Sequence, residues 1–176
     1  MAPMPPDQRL EVHFIGELEL GSCFHDVQHG EGLFVDYCAK AGVDWLPISK
    51  DAEGFVGQTQ TAYPDGEGTF VFNHPIGFHF FATSIAGWPK LEIGVWKLDS
   101  AGRVDFVSHA SMSMPLTPGH ADIDCLTWAP LETTPINEAR ALHVGGRAPA
   151  GSGDMARLAD VLAGGEARSQ VVTRTS

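Results

Sequence analysis

Two aspartates, Asp99 and Asp105, flank a short polar loop in the stretch VWKLDSAGRVDF, which runs from Val95 to Phe106. The apolar residues on both sides of the loop, with Gly102 near its tip, predict two strands joined by a tight turn. Calcium binds six to eight oxygen ligands, and loops that bind it concentrate carboxylates. Asp99 and Asp105 are therefore candidate calcium ligands.

Lysines weaken the case for calcium. Lys97 precedes Asp99 by two residues, and its ammonium group would repel a cation there. A second acidic stretch, AKAGVDWLPISKD, contains as many lysines as aspartates. We therefore favour a turn, in which the Asp99 carboxylate accepts hydrogen bonds from backbone N–H groups and Gly102 adopts a positive φ.

Histidines are the next candidate metal ligands. His74 and His79 flank a short predicted strand, and His25 and His29 are four residues apart. That last spacing suits zinc on a helix, but the surrounding glycines predict a loop. Since no third ligand has a recognisable spacing, we predict neither a metal site nor a cofactor.

Catalytic motifs are absent from the sequence. It contains no G-x-S-x-G, no phosphate-binding loop and no dinucleotide fingerprint. The three cysteines, Cys23, Cys38 and Cys125, are too scattered for a disulfide framework and are predicted to be small core residues in a reducing compartment. We predict no enzymatic activity; a zinc-dependent enzyme using His25, His29 or His79 is the remaining catalytic alternative.

Four tryptophans could anchor a protein interface, where aromatic side chains supply much of the binding energy. Trp96 falls within an alternating strand and is predicted to be in the core. Trp88 and Trp128 lie at the ends of predicted strands, so they are the candidate interface residues.

The net charge of −11 disfavours nucleic acid and anionic lipid as partners, because both would be repelled by the average surface. Lysine and arginine total only 11 and do not cluster. The first residues, MAPMPPDQRL, do not resemble a signal peptide. No apolar run approaches the roughly 18 residues that a membrane span requires.

Strand patterns recur along most of the chain. From Leu10 to Leu20 apolar residues occupy alternate positions, which is typical of a half-buried antiparallel strand. Further runs of this kind, separated by turn residues, are LFVDYCA, GFVGQTQTA, GTFVFNHP, IGFHFFA, LEIGVWKL, RVDFVSHASM and ADIDCLTW. Little helix is predicted between them, so the pattern indicates an all-β antiparallel sandwich.

A single domain over residues 10–176 is expected, preceded by a disordered leader at residues 1–9. One short helix is predicted after Thr134, which can cap it, with Pro135 at its first position and Gly145 and Gly146 at its end. Residues 147–176 give no clear pattern, although QVVTRT could form a strand.

Several of these stretches together resemble the B9 domain family. They are EVHFIGEL, GQTQ, NHPIGFHFFATSIAGWPKLEIGVWKLDSAGR, DCLTWAPL and HVGG, and they extend from about Glu11 to about Thr173. The resemblance implies an all-β, C2-like antiparallel β-sandwich without enzymatic activity and without catalytic residues to transfer.

It also implies a role at the cilium. B9 proteins are structural parts of the tectonic-like (Meckel syndrome) complex at the ciliary transition zone, on the cytoplasmic side near the basal body. The implied partners are the other two B9-domain proteins, and the implied role is in ciliogenesis and the ciliary diffusion barrier. The alternative is a C2-like module that associates with membranes, with or without calcium.

The chain departs from this pattern at VVTRTS, where related sequences would continue into a last strand. A missing strand would leave a sheet edge unpaired, and an unpaired edge is a template for another chain. We therefore expect that edge to be where a second B9 domain docks.

Overall fold

The structure, a computed structural model, describes residues 10–24, 27–28, 30–48 and 55–129, together with the backbone of residues 169–175. The predicted leader, the predicted helix after Thr134 and most of the tail lie outside these residues. The strands of the described residues, in chain order, are β1 (Leu10–Ser22), β2 (Gly32–Lys40), β3 (Trp45–Pro47), β4 (Val56–Gln58), β5 (Phe70–Ala82), β6 (Lys90–Leu98), β7 (Val104–Ser113), β8 (Ala121–Thr127) and β9 (Ser169–Thr175).

These strands form two sheets. The larger has the order β3-β5-β1-β9-β8 and the smaller has the order β4-β2-β6-β7. Every pairing is antiparallel. The described part of the chain is therefore an antiparallel β-sandwich, which confirms the predicted fold class. Among these residues there is no helix of the length and hydropathy needed to cross a bilayer.

The core lies between the sheets and comes from the alternation seen in the sequence. In β2, Leu33 and Val35 are fully buried while Phe34 is only partly so. In β6, Ile93 and Val95 are fully buried in the same cluster. Burying each such side chain contributes about 1.5–3 kcal/mol, so the period-two pattern fixes which face of each strand turns inward.

Strand β5 continues through Pro75, where the sequence predicts a break between two strands. Pro75 pairs with Glu17 of β1, whereas β3 pairs only with the end of β5, from Phe80 to Ala82. At Pro75, β5 therefore has a strand on one side only, and a residue without an N–H group is tolerated there.

Strands β6 and β7 form the predicted hairpin, with a register shift between Val95 and Trp96. Val95 is buried in the core, but Trp96 lies on the opposite face. There it packs edge to face on Phe106, with 5.2 Å between the ring centroids. The prediction of Trp96 in the core is wrong, because one strand position separates the two faces of a sheet.

Strand β9 confirms that QVVTRT forms a strand. It pairs with β1 from Ser22↔Gln170 to Gly16↔Thr175 and with β8 along its whole length. VVTRT is thus part of an interior strand, and the edges of the larger sheet are β3 and β8. Within the described residues, β1 has no unpaired edge, because β9 lies beside it, and docking of a second B9 domain at a sheet edge stays a prediction.

Candidate functional site

The turn between β6 and β7 is held by Asp99. One carboxylate oxygen, Oδ1, accepts hydrogen bonds from the backbone N–H groups of Ala101 and Arg103, both at 2.8 Å. The other, Oδ2, contacts Nε of Arg103 at 2.6 Å, and Gly102 has a φ of +79°. These bonds lower the pKa of Asp99, the backbone bond from Arg103 most of all. The predicted turn bonds are present.

The other charged groups near this turn have partners of their own. Nζ of Lys97 is 3.2 Å from Oε1 of Glu31, and Oε2 of Glu31 accepts a hydrogen bond of 2.7 Å from the backbone N–H of Gln28. Lys97 also lies directly opposite Asp105 in the β6–β7 ladder. The Lys97 ammonium group is thus held by Glu31, on a residue that lies opposite Asp105 and two positions from Asp99.

Asp44, from the second acidic stretch, lies at the other end of the sandwich. The β2–β6 ladder runs from Gly32↔Leu98, beside Asp99, to Lys40↔Lys90, near Asp44. Eight strand positions separate these ends, or roughly 26 Å at the usual rise per residue. Asp44 instead accepts a hydrogen bond of 3.0 Å from Oγ of Ser84. It cannot share a cation with Asp99.

The two histidines predicted to flank one strand have different environments. Nε2 of His74 in β5 lies 3.1 Å from the hydroxyl of Tyr37 in β2. This hydrogen bond links the two sheets. His79 is on the outer face of the larger sheet, directly opposite His13 of β1. His25 and His29 lie outside the described residues.

Glu11, His13 and His79 form a group that sequence reasoning missed. Their ligand atoms, one from each side chain, all lie within 4.8 Å of one another. Oε1 of Glu11 is 2.5 Å from Nε2 of His79 and 3.3 Å from Nε2 of His13. His13 and His79 are 66 positions apart in the sequence, so only the β1–β5 register reveals the group.

Trp88 is a packing residue in this structure. Its indole Nε1–H donates a hydrogen bond of 2.9 Å to the backbone carbonyl of Met114. Its ring packs edge to face on Trp45 and on Phe14, with centroid distances of 4.9 Å and 6.0 Å. The indole thus contacts both the larger sheet and the segment that follows β7.

Trp128 connects the two sheets at one side of the sandwich. Its backbone exchanges two hydrogen bonds of 2.8 Å with the backbone of His109 in β7, although it follows directly on β8. The rings of Trp128 and His109 pack edge to face at 5.6 Å. Burial lowers the pKa of His109, and the negative charges of Glu92 and Asp36 oppose that effect.

The cysteines occupy three different environments. Cys125 is buried in the core, as predicted, and burial raises its pKa to about 11. Cys23 is exposed and Cys38 is partly buried, so the core prediction is wrong for Cys23. Cys23 follows the end of β1 in a left-handed conformation, with a φ of +62°, where the strand alternation no longer applies.

The geometry therefore defines a β-sandwich protein whose distinctive polar residues mostly hold turns and join sheets. Comparison with known proteins identifies the particular family. The family model described as "Ciliary basal body-associated, B9 protein" matches residues 12–176. This chain belongs to the B9 family, which confirms the resemblance seen in the sequence.

Individual relatives agree with this assignment. The chain is 34% identical to B9 domain-containing protein 2 of Bos taurus over 136 residues, which are 77% of this chain and 74% of that protein. The same identity and coverage hold for B9 domain-containing protein 2 of Homo sapiens. The protein of that name from Xenopus laevis is 32% identical over 163 residues, covering 93% of this chain and 85% of the relative.

Proposed function

We propose that this chain is a non-catalytic structural component of the ciliary transition zone, located on its cytoplasmic side near the basal body. It acts there by binding the other two B9-domain proteins within the tectonic-like (Meckel syndrome) complex, and so contributes to ciliogenesis and the ciliary diffusion barrier. The observation that carries the proposal is the family match over residues 12–176, which includes all nine described strands except the first two residues of β1.

The polar contacts of the fold support a structural role. Asp99 bonds the backbone of its own turn, and His74 bonds Tyr37 between the sheets. Side chains used in this way stabilise the sandwich. A protein that acts through its surface requires such a rigid frame, since binding sites are more accurate on rigid elements.

Trp128 is our candidate for the partner-binding surface. Its hydrogen bonds to His109 are made by the backbone, so they do not depend on the indole ring. Trp88 is the weaker candidate, because its indole N–H donates a hydrogen bond to the Met114 carbonyl and its ring packs edge to face on Trp45. Truncating an aromatic anchor at the centre of an interface costs about 2 kcal/mol or more.

Co-expression with the other two B9-domain proteins tests the proposal. The three chains should elute together in size-exclusion chromatography, with a light-scattering mass equal to that of a complex. Trp128→Ala should weaken the association roughly 30-fold, the equivalent of about 2 kcal/mol. Ile85→Ala, which truncates a loop side chain that is 81% exposed, is the control and should bind as the unmodified chain does.

Independent elution of the unmodified chain would refute the proposed partners. Unchanged binding by Trp128→Ala would refute only the role of that residue. The location is tested separately: a fluorescently tagged chain in ciliated cells should concentrate at the ciliary base, and a uniform cytosolic signal would contradict the proposal.

A further inference from the structure

The group formed by Glu11, His13 and His79 is unrelated to the turn and to the tryptophans. All three side chains project from the outer face of the larger sheet, since Glu11 and His13 are two residues apart in β1 and His79 is directly opposite His13 in β5. Directly opposed side chains have Cβ atoms about 4.5–5.5 Å apart. The imidazole rings accordingly lie 3.3 Å apart, centroid to centroid, at an angle of 30°.

The nitrogen and oxygen atoms of the group converge on one point. Oε1 of Glu11 lies within 3.3 Å of Nε2 of both histidines. Nε2 of His79 is buried and lacks a hydrogen bond of acceptable geometry, despite its short distance to Glu11. Burying a polar atom without a hydrogen bond is costly, and a metal ion that accepts the nitrogen lone pair removes that cost.

We propose that Glu11, His13 and His79 form a binding site for a divalent transition-metal ion, with zinc as the ion bound. Two imidazole nitrogens and one carboxylate oxygen are a known ligand set for zinc, with bonds of about 2.0–2.2 Å. Imidazole ligands disfavour calcium and magnesium, which take oxygen ligands.

The side chains must move before their ligand atoms can surround a tetrahedral ion. Ligand atoms about 2.1 Å from a tetrahedral centre are about 3.4 Å apart. The separation between Nε2 of His13 and Oε1 of Glu11, 3.3 Å, already fits. The contact between Glu11 and His79 must widen by somewhat less than 1 Å, which the Glu11 side chain allows because it is 52% exposed. The two imidazole rings must also turn apart from their centroid distance of 3.3 Å, since two imidazoles on one tetrahedral ion have centroids about 5 Å apart. The His13 side chain has room for this rotation because it is 51% exposed. Water can supply the fourth ligand on this open face.

The bound ion would join two strands that are far apart in the sequence. Glu11 and His13 lie near the start of β1, and His79 lies near the end of β5. Zinc would therefore fasten the start of β1, the central strand of the larger sheet, to the end of its neighbour β5. It would also leave an open coordination position at the surface of the larger sheet.

Calorimetric titration of the full chain with zinc chloride at neutral pH tests the site. The unmodified chain should bind one zinc ion at this site. Loss of a partner outside the coordination sphere commonly weakens metal binding about 10–100-fold, so loss of a ligand should weaken it by about 100-fold or more. His13→Gln and His79→Gln should each show that loss, and Glu11→Gln should show a smaller one because the amide oxygen remains.

His120→Gln is the matched control. Nε2 of His120 is 3.3 Å from Oδ1 of Asp122, so it is another exposed histidine–carboxylate pair, but among the described residues the pair does not belong to a three-ligand group. This variant should bind zinc as the unmodified chain does. Circular dichroism of each variant establishes that the β-sandwich is intact.

Cobalt substitution identifies the ligand atoms. Cobalt at the proposed site should give visible absorption without the intense near-ultraviolet thiolate bands, and His13→Gln should abolish the visible absorption. Thiolate bands would assign the ion to cysteines instead and would overturn the proposal. So would failure of the unmodified chain to bind zinc, or binding by folded His13→Gln and His79→Gln that equals that of His120→Gln.

Discussion

The contacts of the Asp99 carboxylate decide whether the β6–β7 loop is a hydrogen-bonded turn or a calcium site. Its oxygens accept two backbone hydrogen bonds and contact the Arg103 guanidinium, so they stabilise the β6–β7 turn. The sequence is compatible with both a calcium ligand and a turn residue, because both uses require an exposed carboxylate beside a glycine. The bonding geometry favours the turn.

We therefore expect Asp99→Ala to lower the thermal midpoint of the chain, and Asp99→Asn to lower it less. Asparagine keeps an oxygen for the two backbone N–H groups but loses the charge that attracts Arg103. Thermal unfolding followed by circular dichroism measures the difference. A midpoint for Asp99→Ala equal to that of the unmodified chain would contradict the role given to this carboxylate.

The stability that Asp99 provides should depend on pH in one direction. The pKa of Asp99 is lower in the folded chain than in the unfolded chain, whose value is about 3.9. The stabilisation is thus fully present above that value and is lost as the pH falls through the lowered folded pKa. The midpoint difference between the unmodified chain and Asp99→Ala should be constant between about pH 7 and 5, and should shrink below about pH 4.

At the scale of the strands, the sequence predicts most of the fold because each strand alternates over several residues. It predicts β1, β2, β6, β7 and β8, whose inward positions are mostly apolar, with Ser108 and Thr127 as buried polar exceptions. It does not predict β3, since three residues are too few to show a period. The histidine pair is missed for a different reason, because His13 and His79 meet only through the register of β1 and β5.

The close approach of two strands at Gly94 gives a test of packing. Gly94 is paired with Asp36 of β2, and a Cβ atom added to it would collide with the Asp36 carboxylate. Gly94→Ala should therefore reduce the free energy of unfolding by about 1–3 kcal/mol, the usual cost of overpacking. Chemical denaturation measures it.

Gly77 supplies the control for that substitution. It also lies within a strand, but an added Cβ there meets no atom within 4 Å. Gly77→Ala should leave the stability unchanged or raise it slightly, because alanine restricts the unfolded chain. An equal loss of stability in both variants would show that the cost of Gly94→Ala does not come from the contact with Asp36.

Strand β9 should be essential because it is an interior strand. Val171 is paired with Gly21 of β1 on one side and with Cys125 of β8 on the other. Each N–H group of an interior strand joins a ladder, so Val171→Pro removes a hydrogen bond and leaves a carbonyl without its donor. We expect a loss of at least about 1–3 kcal/mol in the free energy of unfolding.

Val171→Thr is the control for this prediction, since threonine keeps the backbone donor and a branched side chain. Because a hydroxyl then replaces a methyl group at a position paired with buried Cys125, it should lose some stability, but less than Val171→Pro. If Val171→Pro were as stable as Val171→Thr, the C-terminal segment would not be an interior strand, and the edge of β1 would be available to a partner after all.

At the scale of the whole molecule, net charge decides between the two surface roles that a β-sandwich of this kind could have. Anionic lipid attracts basic segments by about 1 kcal/mol per lysine or arginine near the surface. This chain has a net charge of −11, and its Lys97 and Arg103 are already paired with carboxylates. Calcium could reverse the repulsion only through a site with several carboxylates, and Asp44 and Asp99 lie at opposite ends of the sandwich.

We therefore expect the purified chain not to sediment with phosphatidylserine vesicles at physiological salt, whether calcium is present or chelated. Vesicles of phosphatidylcholine provide the control for lipid charge, and both should leave the chain in the supernatant. Calcium-dependent sedimentation that Asp99→Asn abolishes would establish the membrane-associating alternative, and would mean that the turn carboxylate exchanges Arg103 for a cation. Sedimentation only in the presence of the other B9-domain proteins would instead show that those partners supply the basic surface that binds the lipid. That result is consistent with a chain that acts through protein contacts.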